Sequence, residues 1–184
     1  MFTGSYLATW YMDYKKQKRE FLLQRYDDRI KHLYGPLYGR CVVLKSSYHA
    51  AIGQCSGISE YLINAQKKKD AHSIWRWRSF VWSNLRPVEN KIVDLISENS
   101  HLIVGEFPEE FNKFLTNHSN FEFTMERWKN PKGVLEDTED YDEEDYLERY
   151  NAPKDINYDA LFEHVDKKCQ ELRDHRTDVL HRYK

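Results

Sequence analysis

The chain has 184 residues, a length that fits one domain with a sizeable core. Only 7 glycines and 5 prolines punctuate it, while 15% of its residues are aromatic and 32% are charged. So few turn-forming residues exclude collagen-like, low-complexity and β-sandwich chains. A mean hydropathy of −0.84 without a long apolar run excludes a complete membrane span within this sequence.

The net charge of −2 conceals two halves of opposite sign. Residues 1–86 carry 15 Lys and Arg against 6 Asp and Glu, whereas residues 87–184 carry 13 against 24. One interpretation is that basic and acidic helices pack side by side, with weak attraction between their exposed charges. The alternative is that the basic half, with its clusters at residues 15–19 and 67–69, binds an anionic lipid or nucleic-acid surface.

Five segments share one apolar rhythm, over about residues 6–33, 37–66, 74–102, 111–128 and 158–183. Their apolar residues alternate three and four apart, a spacing that keeps one helix face against a partner helix. The predicted core positions include Tyr11, Tyr14 and Leu33, then Cys41, Leu44 and Leu62, then Val81, Leu85, Val88 and Leu95, then Phe111, Phe114 and Phe121, and finally Tyr158, Val165, Cys169 and Leu172. The sequence predicts an all-α fold, an antiparallel bundle of four to five long helices forming one domain over residues 1–184.

Glycine and proline mark the expected helix boundaries. Gly35 and Pro36 either separate the first two helices or kink one longer helix. Pro87 lies inside the third segment and should bend it, because its ring removes a hydrogen bond and clashes with the preceding turn. Further helix-start signals lie at Ser73, Pro108 and Asn157.

The second segment carries two sets of small residues. Ala50, Gly53 and Gly57 follow one face, and small residues at this spacing predict a close contact with another helix. Cys41 and Cys55 share the apolar seam, a position typical of inert buried thiols. Three cysteines without metal-type spacing also favour a reducing, intracellular compartment.

Residues 130–156 differ in character and are expected to form an acidic strap or loop on the surface of the bundle. Nine of the thirteen residues 136–148 are acidic, and a run of like charges favours solvent over a core. Asp140, Asp142 and Glu144 alternate like calcium ligands, but Asp145 stands where the calcium loop needs glycine, so calcium is excluded. The strap's tyrosines, Tyr141, Tyr146 and Tyr150, are candidates for contacts with the bundle or with a basic partner.

Four polar residues are candidates for chemistry. His118 and Arg176 interrupt apolar seams, so both should be partly buried and find polar partners that fix helix register; the alternative is a ligand-binding or acid–base site. Glu98 and His101 form one Glu-x-x-His motif of the type used by di-iron bundles. Only an imperfect second motif ends at His181. Nucleotide, hydrolase and metalloprotease motifs are absent, so no catalytic, cofactor or metal residue is assigned.

A tryptophan-rich stretch opens the third segment. Trp75, Trp77 and Trp82 alternate there with Arg76 and Arg78. On a helix these side chains point in several directions around the axis. The sequence therefore predicts that Trp77 lies in the core, while Trp75 and Arg78 lie at the edge of the core. Nucleic-acid binding through this stretch is the less favoured interpretation.

The amino-terminal segment combines aromatic and basic residues. Residues 2–12 are apolar and aromatic, and the basic cluster at residues 15–19 follows at once. This order is typical of the cytoplasmic end of a membrane helix or of an interfacial anchor, although eleven residues are too few to span. The alternatives are a segment that docks on a partner, the remnant of a membrane helix, or a helix start packed on the bundle.

Three stretches carry a resemblance to a known group of proteins: RIKHLYGPLYGR at residues 29–40, the tryptophan-rich helix at 75–103, and FPEEFNKFLTNHSNFEFTMERW at 107–128. They resemble an uncharacterised family of helical proteins from bacteria and some eukaryotes, defined by a LYGPLY element; residues 157–176 resemble it more weakly. The resemblance implies a helical domain, often behind an amino-terminal membrane helix, and no known activity. His101 stands where the family pattern has an acidic residue.

These observations favour a non-catalytic interaction or scaffold module with a protein partner, as an accessory subunit of a membrane-associated assembly. A helical-bundle enzyme or sensor with a buried His and carboxylate metal site is the first alternative. Binding of an anionic lipid or nucleic-acid surface by the basic half is the second.

Overall fold

The computed structural model describes residues 3–68, 70–129 and 158–182, and within them the fold is all-α without a β-strand. Two helical turns of wider π type and one short 3₁₀ turn join the α-helices. The elements are α1 (Thr3–Arg29), a π turn (Ile30–Tyr34), α2 (Gly35–Ile52), α3 (Ile58–Lys67), α4 (Ala71–Phe80), a second π turn (Val81–Leu85), α5 (Arg86–Glu98), a 3₁₀ turn (Ser100–Leu102), α6 (Glu109–Lys129) and α7 (Tyr158–Arg182).

The last helix, α7, lies antiparallel to the first helical stretch. The Arg176 Nε donates to Asp27 on α1 at 2.6 Å, and the Cys169 thiol donates to the carbonyl oxygen of Tyr34 at 3.1 Å. Further along, the ring of Phe162 lies 5.8 Å from that of Tyr38 on α2. Because the residue numbers fall on one helix as they rise on the other, the predicted antiparallel bundle is confirmed.

Both internal prolines follow a π turn. The residue before each proline, Gly35 or Arg86, donates its N–H to a carbonyl five residues back, at Ile30 or Val81. The wider turn accommodates a proline ring that would clash with a regular α-turn. Gly35 therefore does not separate two helices: residues 3–52 are helical throughout, in agreement with the alternative of one longer helix.

The space around position 35 also requires glycine. A Cβ added there would lie 2.5 Å from the carbonyl oxygen of Ile30, which is closer than real Cβ atoms approach. Gly39, one turn later on α2, has no atom within 4 Å of such a Cβ. The π turn thus needs glycine at its end but not further along.

The predicted helix over residues 37–66 is interrupted at residues 53–57. Gly53 ends α2 with φ of 62°, a backbone conformation that favours glycine, and its N–H donates to His49 at 3.1 Å. No atom lies within 4 Å of a Cβ built on Gly53. The prediction of a close helix contact through Ala50, Gly53 and Gly57 is therefore wrong, because Gly53 ends the helix.

Two helix starts can be compared with their sequence signals. The α6 helix begins at Glu109, directly after Pro108, as predicted. The α4 helix begins after Asp70, whose carboxylate accepts from the Ser73 N–H at 3.0 Å, so Asp70 and not Ser73 is the cap.

Asn157, the acidic strap at 130–156 with its tyrosines, and the rejected calcium pattern lie outside the described residues.

The core contains most of the predicted seam residues. Its buried members include Leu33, Cys41, Leu44, Leu62, Val81, Leu85, Phe111, Phe114, Phe121, Tyr158, Val165, Cys169 and Leu172. In α5 the buried face is displaced: Val88 and Leu95 are only half-buried, while Glu89 and Ile96 are buried. In α1, Tyr11 and Tyr14 are at least half exposed, so the prediction that they are core residues is wrong.

Candidate functional site

A buried ion pair lies at the start of α5. Arg86 and Glu89 are only 4% and 2% exposed, and they are the charged residues buried in the described part of the chain. Arg86 donates to Glu89 Oε2 at 2.8 Å, three residues along the same helix. Because burying a charge is costly without compensation, the remaining atoms of the pair need partners as well.

Those partners come from two other helices. The hydroxyl of Tyr158, at the start of α7, donates to Glu89 Oε1 at 2.5 Å. The second terminal nitrogen of Arg86 donates to the carbonyl oxygen of His118 at 3.3 Å and to the carboxylate of Glu122, both on α6. We call the buried side chains of Arg86, Glu89 and Tyr158, together with the exposed Glu122 that pairs with Arg86, the buried network; it joins α5, α6 and α7.

A small cavity adjoins the buried network. It is lined by Glu89, Tyr158, Tyr48, Trp77 and Phe121 among others, and its volume of about 10 Å³ is close to the minimum for one water molecule. The indole N–H of Trp77 is buried and has no hydrogen-bond partner among the described residues. Burial raises the pKa of Tyr158 well above its ordinary value, and Glu89 raises it further. The Tyr158 hydroxyl therefore stays protonated and acts as a hydrogen-bond donor. The cavity itself is too small to hold a substrate.

This network was not predicted from the sequence. An Arg and a Glu three residues apart beside Pro87 have the pattern of an exposed helix pair. Their burial follows from the π turn, which adds a residue ahead of α5 and changes which side chains face the bundle. The one available signal is Pro87 itself, since an internal proline often accompanies a helix irregularity.

His118 and Arg176 are both half-buried, as predicted, and both have polar partners. The His118 Nε2 lies 2.8 Å from Asn90 Oδ1, which joins α6 to α5. Burial lowers the pKa of His118, with a smaller contribution from Arg86, so the ring is neutral at pH 7. Arg176 pairs with Asp27 on α1. The two residues belong to separate helix contacts and do not form one site.

Glu98 and His101 do not come together as metal ligands. Both are exposed; Glu98 is the last residue of α5, and His101 lies in the 3₁₀ turn. No group of three His, Cys, Asp or Glu side chains suited to a metal ion occurs among the described residues. Asp178, in the imperfect second motif, lies 3.9 Å from Arg182.

The cysteines differ in environment. Burial raises the pKa of Cys41 to about 12 and also raises that of Cys169, so both thiols stay protonated at neutral pH. Cys55 is half-buried between α2 and α3, where Asn64 Nδ2 approaches its sulfur at 3.9 Å.

The amino-terminal part of α1 carries an exposed aromatic surface. Seven large apolar side chains are each between 50 and 79% exposed: Tyr6, Leu7, Trp10, Tyr11, Met12, Tyr14 and Phe21. Trp10 stacks on Tyr14 with ring centroids 5.9 Å apart, and the Lys15 ammonium lies 4.6 Å from the Tyr11 ring. These contacts are all local to α1. We call residues 6–21 the projecting end.

The register of α7 explains this exposure. Arg176 is paired with Asp27, so Arg182, the last described residue of α7, is level with about residue 21 of the antiparallel α1. Residues 6–20 of α1 therefore extend beyond the described end of α7. Their aromatic pattern has helical spacing, but no described helix lies opposite it.

The tryptophan-rich stretch agrees with its prediction. Trp77 is buried, whereas Trp75 is 70% exposed and Trp82 is 46% exposed. Beside them, an open groove of about 410 Å³ is lined by Tyr61, Arg76 and Phe80 among others.

Across the described residues, the structure contains no helix with both the length and the apolar character needed to cross a membrane. No family model matches the chain, and neither the curated proteins nor the solved structures contain a significant match. The resemblance based on the LYGPLY element stays a prediction.

Proposed function

We propose that this protein is a non-catalytic interaction module, an accessory part of a membrane-associated assembly, and that it docks through the projecting end of α1. The observation that carries the proposal is the exposure of seven large apolar side chains along residues 6–21. An apolar surface of this kind is costly in water and usually marks an interaction site.

The rest of the bundle suits a supporting role. The charged groups of the buried network are satisfied by one another, and the cavity beside them has room for about one water molecule. His118 and Arg176 each join two helices. Polar groups used in this way fix the positions of helices and leave little for substrate chemistry.

The attachment of α1 to the bundle supports docking by its free end. Asp27 and Tyr34 are bonded to α7, while the helix continues without a break from residue 3 to residue 52. A helix fixed along its second half carries the first half beyond the described end of α7 as a preformed helix. The aromatic side chains are thus presented to a partner at little further cost in conformational entropy.

The proposal is tested by fractionating cells that express the full chain. The variant Trp10→Ser/Tyr14→Ser removes two exposed rings of the projecting end, and Trp75→Ser/Trp82→Ser removes two exposed rings of the tryptophan-rich stretch as the matched control. We expect the parent and the control to sediment with the membrane fraction and the first variant to stay in the supernatant. Equal sedimentation of both variants, or loss of only the control, contradicts the proposal.

A further inference from the structure

We infer that the projecting end of α1 docks on the headgroup interface of an anionic lipid bilayer. This inference rests on the proposed function and names the surface that the projecting end recognises. It is carried by the exposed aromatic side chains of residues 6–21 and by the charges beside them.

The aromatic side chains form one continuous face. At about 100° per residue, Tyr6, Leu7, Trp10, Tyr11 and Tyr14 fall within a sector of about 140°, and Phe21 continues it towards the bundle. Tryptophan and tyrosine are the residues that favour the boundary between headgroups and acyl chains, since each has an apolar ring and a polar group. A helix with such a face lies in the plane of the interface.

The charges near this face favour an anionic surface. Lys15 lies beside one edge of the aromatic sector and Lys18 just inside that edge, whereas Asp13 and Glu20 lie beside the other edge. Over residues 6–25 the basic residues number five and the acidic residues two. Lysine beside an interfacial aromatic face can reach lipid phosphates while its methylene chain covers apolar surface. The basic edge would therefore turn towards the headgroups.

The acidic residues 136–148 are the competing occupant within the chain. Their segment connects the end of α6 to the start of α7, and the start of α7 lies at the far end of the bundle from the projecting end. The described length of α7 alone is about 37 Å at 1.5 Å per residue, and Trp10 lies about 17 Å beyond it. Residues 130–157 measure at most about 92 Å when fully extended at about 3.3 Å per residue. A loop that starts and ends at the same end of the bundle can therefore extend no further than about 46 Å from it. A segment of this length falls about 8 Å short of Trp10, while Phe21 and Lys18 lie within its reach.

A second copy of the chain is the other competing occupant. In such a dimer the excess of basic residues over residues 6–25 would face the same excess on the other copy, whereas an anionic bilayer supplies the opposite charge.

The test is flotation of the purified full chain with vesicles at roughly 0.1 and 0.5 M NaCl. One vesicle contains phosphatidylcholine alone, and the other also contains phosphatidylserine. We expect binding to the anionic vesicle at low salt, weakened at high salt. The variant Lys15→Gln/Lys18→Gln should weaken it about twenty-five-fold, because each basic residue near such a surface contributes about five-fold. Trp10→Ala/Tyr14→Ala should also weaken binding to the anionic vesicle, and Trp75→Ala/Trp82→Ala should leave it unchanged.

Several results would overturn the inference. Absence of binding to the anionic vesicle, or a loss as large in the Trp75/Trp82 variant as in the Trp10/Tyr14 variant, excludes this surface. Duplex or single-stranded DNA that binds the same residues more tightly than the vesicle points to nucleic acid. Sedimentation that finds a dimer abolished by Trp10→Ala points to a second copy. If cell fractionation depends on Trp10 while the vesicles do not bind, the inference is wrong but the proposed function stands.

Discussion

The hydroxyl of Tyr158 donates to Oε1 of Glu89 at 2.5 Å, across 69 residues of sequence, and both side chains are buried. This hydrogen bond joins the start of α7 to α5 beside the ion pair with Arg86. It connects helices that are separated in sequence by α6 and by residues outside the described part of the chain. The buried network therefore positions the helix that holds α1 in place.

The first prediction concerns that hydrogen bond. Tyr158→Phe keeps the ring but removes a donor from a buried carboxylate, which should lower the free energy of unfolding by about 1–3 kcal/mol. Urea denaturation measures the change. Tyr14→Phe is the control, because Tyr14 is half exposed and should change stability little. Equal stability of the two variants would show that the Tyr158 hydroxyl does not support Glu89.

The second prediction concerns the ion pair as a unit. Arg86→Met leaves Glu89 buried without its charged partner and should cost about 3–5 kcal/mol. Adding Glu89→Leu removes that uncompensated charge, so the double variant should be more stable than Arg86→Met alone. Denaturation of both variants and of Glu89→Leu completes a double-mutant cycle. Additive losses would mean that the two residues act independently.

The third prediction concerns the first π turn. Gly35→Ala brings a Cβ within 2.5 Å of the Ile30 carbonyl oxygen, so the turn must shift, at a cost of about 1–3 kcal/mol. Gly39→Ala is the matched control on the same helix, where no atom lies within 4 Å. That substitution should stabilise the protein by about 0.5–1 kcal/mol through helix propensity. Thermal unfolding of both variants tests whether Gly35→Ala lowers the stability of the protein while Gly39→Ala raises it.

The fourth prediction concerns pH. Burial lowers the pKa of His118 below its ordinary value of 6.5, and Arg86 lowers it further against the opposing carboxylates Glu89 and Glu122. The unfolded chain therefore binds a proton more readily than the folded chain as the pH falls below about 6.5. Stability should be full above that pH and decline as the pH falls towards the folded pKa.

The variant His118→Gln keeps a donor for Asn90 and removes the titrating ring. Its unfolding free energy should depend less on pH between about 7.5 and 5.5 than that of the parent. His164, whose pKa is also lowered by burial, makes a further contribution that His118→Gln/His164→Gln removes. An unchanged pH profile in the double variant would assign the acid sensitivity to other groups.

The sequence predicted the fold class and most of the core, and its errors have identifiable physical causes. In α6 and α7 the seam positions Phe111, Phe114, Val165 and Leu172 are buried as expected, because no internal glycine or proline disturbs their spacing. In α5 the π turn displaced the buried face, so Glu89 was missed. Hydrogen-bond geometry, which determines where a π turn forms, cannot be read from apolar spacing.

The candidate docking surface was only partly predictable. The aromatic residues followed by a basic cluster were evident in the sequence, and interfacial anchoring was one of several interpretations. Tyr11 and Tyr14 also match the helical seam spacing, which led to their assignment as core. Periodicity identifies an apolar face but does not tell which helix lies opposite it. That information came from the register between Asp27 and Arg176.

The central claim is that residues 6–21 of α1 rest on an anionic bilayer, and hydrogen–deuterium exchange of the full chain with and without phosphatidylserine vesicles tests it most directly. In the free protein we expect these amides to exchange faster than those of the bundle core, because the large apolar side chains along this stretch are at least half exposed. The account predicts that vesicles slow exchange over residues 6–21 and leave α4 and α5 unchanged. Unaltered exchange over residues 6–21, or protection confined to the tryptophan-rich stretch around Trp75, would contradict it.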